Sequence, residues 1–117
     1  MALSHAKAGE VVDLRPLGQS LAEARTSALV KTEQFEAVRL VLAAGRTIPQ
    51  HSVDGQITLH CLEGHVLLHA GREIALRAGD WIYLARSAPH ALEAIEDSAL
   101  LLTIMFDGGQ SQSPPDS

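Results

Sequence analysis

Cysteine is almost absent from this sequence. Cys61 stands alone among 117 residues, so no disulfide can close within the chain. Aromatic residues are nearly as scarce, with Phe35, Trp81, Tyr83 and Phe106 the full set. A core must therefore be built from Leu, Val, Ile and Ala. No run of Lys or Arg forms a stripe and the formal net charge is −5, so the basic footprint of a nucleic-acid binder is missing. The same acidic balance disfavours anionic membrane surfaces. No apolar stretch approaches the roughly 18 residues that a membrane helix needs. Met1 to Glu10 has no basic start followed by an apolar block, so no secretory signal is expected. These absences predict a cytoplasmic protein with neither a nucleic-acid nor a membrane partner.

What is present suits one small domain. Apolar residues make up 46% of the chain, enough for a single compact core at this length. Met1 to Gly9 reads as a flexible opening segment. The closing stretch GGQSQSPPDS, residues 108–117, has almost nothing to bury and is expected to be disordered. The ordered domain is then about residues 10–107, with no internal repeat.

Between these ends the pattern is mainly strand. Short runs rich in Val, Ile, Leu or Thr cover Ser27 to Lys31, Phe35 to Leu42, Gln56 to Leu62 and His65 to Ala70. Further runs cover Glu73 to Arg77, Trp81 to Leu84, Ala91 to Ile95 and Ala99 to Phe106. Gly45, Asp54-Gly55, Glu63-Gly64, Gly71, Gly79-Asp80, Pro89 and Glu96-Asp97 punctuate them as turns. Leu17 to Ala24 could hold a turn or two of helix capped by Ser20, too short to carry a fold. Many short strands need closure to hide their edges, which predicts an all-β barrel or jelly roll. Such a barrel has room for side chains and one small ligand or ion.

Two spaced motifs are more specific. Gly45, five residues on His51, and later Leu62-Glu63-Gly64 match the first; Gly79-Asp80-Trp81-Ile82-Tyr83-Leu84 followed by His90 matches the second. Over Gly45 to Ala94 the chain resembles the cupin family, the small RmlC-like conserved barrels. The resemblance implies a double-stranded β-helix (jelly-roll) barrel with a central site that is often a metal centre, and commonly a homodimer formed through a sheet.

The departures bear on function. Val53 stands at the second histidine of the first motif, and Ile57 at its glutamate. Ala85, Ser87 and Ala94 replace the proline, glycine and asparagine of the second. Of four ligands that the resemblance implies, His51 and His90 remain. Gln56 neighbours the glutamate position, one residue off, and a one-residue shift turns a strand side chain to the other face. A bulge after Asp54-Gly55 would bring Gln56 inward instead of Ile57. The implied pocket is lined by His51, Val53, Ile57, Leu59, Cys61, Tyr83 and His90. A divalent transition metal (Zn, Fe, Ni, Mn or Cu) would be held by His51, His90 and, provisionally, Gln56; otherwise there is no cofactor.

Cys61 reads either as a small buried hydrophobe or as a third, soft ligand. His60, His65 and His69 flank the Glu63-Gly64 turn; across a two-residue hairpin they would share one outward patch with Leu62 and Leu67. Trp81 and Tyr83 alternate towards His90, as core or as pocket residues. Arg39 and Arg46 flank the first motif and could meet an acid group. Glu63 and Glu93 are the carboxylates nearest the motifs, at a turn and on an outer face.

Three functions fit these residues. The first is a binding module that holds a small organic molecule in a mostly apolar pocket with His51 and His90 as polar points. The second is a metal-dependent enzyme of dioxygenase, isomerase or lyase type. The third is a purely structural dimeric barrel. The loss of two ligand positions favours the first.

Overall fold

The structure, a computed structural model, describes residues 5–106. The strand runs fold as β1 (Ser27–Lys31), β2 (Phe35–Leu42), β3 (Thr47–His51), β4 (Gly55–Glu63), β5 (His65–His69), β6 (Glu73–Arg77), β7 (Trp81–Leu84), β8 (His90–Ala94) and β9 (Ser98–Phe106). They form two antiparallel sheets, one ordered β1-β2-β9-β4-β7 and the other β3-β8-β5-β6. Consecutive strands repeatedly change sheet, the jelly-roll arrangement expected of an all-β barrel. No helix among the described residues is long and apolar enough to cross a membrane.

Alternation decides which side chains fill the space between the sheets. Along β4 every second residue is buried: Ile57 is 2% exposed, Leu59 1% and Cys61 0%. From the facing sheet come Val66, Leu68, Leu76, Leu92 and Ala94, so one cluster unites both layers. Burying an aliphatic side chain of this size contributes about 1.5–3 kcal/mol.

β3 has no counterpart among the sequence-read strands. Pro49 lies in it and breaks the apolar alternation. The strand survives because it is an edge, paired only with β8, where a residue without an N–H is tolerated. Its register slips between Ile48 and His51. The helical expectation is also corrected. Gly18–Glu23 is a 3₁₀ stretch with Leu17 at its N-cap position, and no side chain caps it; Ser20 lies inside.

The Glu63-Gly64 turn is a corner between sheets, not a hairpin. Gly64 has a φ of +93°. A Cβ there would collide with Ser98 Oγ and the Asp97 carbonyl, so only glycine lets the chain pass. Ser98, itself 0% exposed, secures the corner. Its Oγ accepts the His65 N–H at 3.0 Å and donates to the Glu96 carbonyl at 2.7 Å. Because β4 and β5 belong to different sheets, His60 does not join His65 and His69 on one patch. Leu62 and Leu67 are parted likewise.

The N-terminal segment lies along the barrel. The Ala6 N–H bonds the Leu29 carbonyl at 2.7 Å. The Arg39 guanidinium donates to the Asp13 carbonyl. Glu63 accepts the Leu17 and Gly18 N–H groups at 2.7 and 3.2 Å. The closing tail expected at 108–117 lies outside the described residues.

Candidate functional site

Between the sheets lies a cavity of about 120 Å³ lined by Leu40, Ile48, His51, Ile57, Leu59, His90, Leu92 and Leu102. Six of these residues are hydrocarbon and two are imidazoles. The β3–β8 ladder places His51 opposite His90 in register. Their ring centroids are 4.4 Å apart, with planes tilted by 57°. His90 is 6% exposed, whereas His51 is exposed and stands at the rim.

Each ring is anchored in the same way. His51 Nδ1 lies 3.0 Å from the Pro49 carbonyl, and His90 Nδ1 lies 3.0 Å from the Ala88 carbonyl. A carbonyl can only accept, so in the neutral rings Nδ1 carries the proton and Nε2 a lone pair. The pocket therefore offers two acceptors on a hydrocarbon wall.

The local sequence explains the anchoring. The turn before β8 passes through Ser87, whose φ is +62°. That residue occupies the position where the family motif has glycine. The turn closes with the Ala88 N–H on the Ala85 carbonyl at 3.1 Å and sets Ala88 just ahead of the ring it holds.

Of the residues expected in the pocket, the structure brings together His51, Ile57, Leu59 and His90. Val53 packs against the core at its margin. Cys61 is buried further along β4, its Sγ 3.6 Å from the Glu63 carbonyl. Burial pushes its thiol up to about 11, aided by the nearby negative charge of Asp80. That is the environment of a buried core thiol, and Cys61 is not among the residues lining the histidine cavity.

Tyr83 and Gln56 require correction. The pairing Thr58↔Tyr83 puts Tyr83 and Trp81 on the outer side of the five-stranded sheet, 48% and 60% exposed. Their neighbours Ile82 and Leu84 point inward. Gln56 lies on the same outer side and donates to Tyr83 Oη at 3.2 Å. No bulge follows Asp54-Gly55, so Ile57 enters the barrel and Gln56 cannot reach an ion between the histidines.

Leu40, Ile48, Leu92 and Leu102 complete the wall. Alternation along β2 and β9 carried a signal for Leu40 and Leu102. Ile48 had none, because its strand was obscured by Pro49.

Two imidazoles do not complete a cage for a resident divalent ion, which usually has at least three protein ligands. Among the described residues no group of three or more His, Cys, Asp or Glu side chains is placed to hold a metal. Glu63 is committed to the N-terminal segment. Glu93 stands on the outer face, 3.8 Å from His69. A larger open groove of about 770 Å³ between residues 5–12 and β1 shares no residue with the histidine cavity.

Solved structures share this architecture. A conserved protein of unknown function from Streptococcus pyogenes aligns with a TM-score of 0.71 at 21% identity, covering 91% of this chain and 95% of that one. A cupin superfamily protein from Desulfitobacterium hafniense has a TM-score of 0.71 at 21% identity over 83% and 95%. An RmlC-like cupin from Desulfovibrio desulfuricans reaches 0.64 at 23% identity over 90% and 97%. These likenesses show the fold alone. Among curated proteins none matches the sequence. The family model described as "Cupin domain" matches residues 38–106, and with the barrel and both motif histidines in place, the chain belongs to the cupin family.

Proposed function

We propose that this chain is a small-molecule-binding cupin whose pocket is the cavity between His51 and His90, working without a resident metal. The observation that carries this is the pair of imidazole acceptors on an otherwise hydrocarbon wall. Enclosed apolar space with a few convergent polar groups is the usual form of a small-ligand site. The competing function is a metal-dependent enzyme, which would need a third ligand that Val53 and Ile57 do not supply. Two chains are further proposed to pair through the outer face of the five-stranded sheet, where Phe35, Trp81 and Tyr83 are exposed.

The test is a fragment screen by thermal shift on untagged protein beside a His51→Ala/His90→Ala variant, with metal content measured by mass spectrometry. Ligand at about tenfold its Kd adds roughly 1.4 kcal/mol. That raises Tm by about 5–10 °C in a domain of this size. The rise is expected in the native chain, absent in the variant, and accompanied by far less than stoichiometric metal. Stoichiometric metal lost in the variant would favour the enzyme instead.

A further inference from the structure

We infer that the pocket selects small uncharged hydroxyl compounds, alcohols or phenols, whose O–H donates to His90 Nε2 while the body fills the leucine and isoleucine wall. The inference rests on the small-molecule function proposed above and names its ligand class. It follows from which ring atom is left over. The Ala88 carbonyl takes the Nδ1 proton of His90, so Nε2 is an acceptor. His90 is 6% exposed and lines the cavity, so a ligand seated among the hydrocarbon walls would cover its Nε2 and take the place of water there. His51 makes the same use of Pro49 but is exposed, so water reaches its Nε2. The acceptor that a ligand in the cavity would have to satisfy is therefore that of His90.

Other ligand classes suit that acceptor poorly. An ionised carboxylate brings only acceptors and would face two lone pairs. A hydrocarbon fills the cavity but leaves Nε2 unpaired. An ammonium group brings donors, but its charge would lose hydration among six hydrocarbon side chains. A hydroxyl compound supplies the donor without a net charge. Size narrows the class further. An apolar cavity of roughly 150 Å³ holds a benzene ring. A cavity of about 120 Å³ therefore takes a body of about five or six heavy atoms, with the hydroxyl turned towards His90.

The experiment titrates the full chain with phenol, toluene and benzoate at neutral pH and follows ¹H–¹⁵N correlation spectra. Phenol is expected to shift the amides of Ile57, Leu59 and Leu92 saturably. It should bind about tenfold tighter than toluene, the factor that one hydrogen bond to a buried acceptor supplies. Benzoate should give no saturable shift. In His90→Leu the preference for phenol over toluene should vanish while toluene still binds. Toluene binding as tightly as phenol, or benzoate binding tighter, overturns the donor requirement and leaves the pocket standing. Silence of the lining amides towards all three compounds overturns the small-molecule function itself. The phenol-to-toluene ratio in the native chain decides the matter even if His90→Leu does not fold.

Discussion

Gln56 and Ile57 are adjacent in the chain and stand on opposite sides of the barrel wall. Ile57 is 2% exposed inside the cavity, while Gln56 donates to Tyr83 Oη outside it. Ile57→Glu should therefore place a carboxylate beside His51 and His90 and complete a three-ligand set. Without metal the variant should lose at least about 3 kcal/mol of stability, because the carboxylate has no partner there. Zn²⁺ or Ni²⁺ should restore much of that loss and bind stoichiometrically. Gln56→Glu should change stability by no more than about 0.5 kcal/mol and bind no metal. Calorimetry of both variants with and without Zn²⁺ checks this, and metal uptake by the Gln56 variant would reverse the two placements.

Ser87 holds a φ of +62° ahead of the His90 anchor. The left-handed conformation costs a residue with a Cβ about 1–2 kcal/mol. Glycine removes that cost but loses more chain entropy on folding. Ser87→Gly should stabilise the domain by about 0.5 kcal/mol, and Ser87→Val should destabilise it by more than that. Urea titrations should show both as midpoint shifts at constant slope.

Ser98 is the acceptor for the His65 N–H at the corner between sheets, and it is 0% exposed. Ser98→Ala should leave that N–H without its partner and cost about 1–3 kcal/mol. The same substitution at exposed Ser52 should be nearly silent, within about 0.5 kcal/mol. Parallel denaturation curves of the two variants separate a lost hydrogen bond from a general effect of removing a hydroxyl.

Cys61 governs a pH effect at the alkaline end. Its thiol is raised from 9.0 to about 11 in the folded chain, chiefly by burial. A raised acid binds its proton more tightly folded than unfolded. Its contribution is therefore fully present below pH 9 and lost as pH rises towards about 11. Native protein should lose stability across that window, and Cys61→Ala should lose less. A thiol reagent should label Cys61 only as fast as the domain opens, and rapid labelling of folded protein would contradict its burial.

The sequence by itself determined the fold class, the two motif histidines and most strand positions. These rest on local properties: the period-2 alternation of side chains, the glycines of the turns, and motif spacing along one chain. It also showed that Val53 and Ile57, at two of the four motif ligand positions, have no atoms to coordinate with. Tertiary structure alone decided the rest. Whether Gln56 or Ile57 enters depends on the β4–β9 register, set by a partner more than forty residues away. Whether Tyr83 lines the pocket depends on its pairing with Thr58. The separation of His60 from His65 and His69 depends on Gly64 being a corner between sheets. Strand alternation says that two faces exist; only packing of one sheet on the other says which face is the interior.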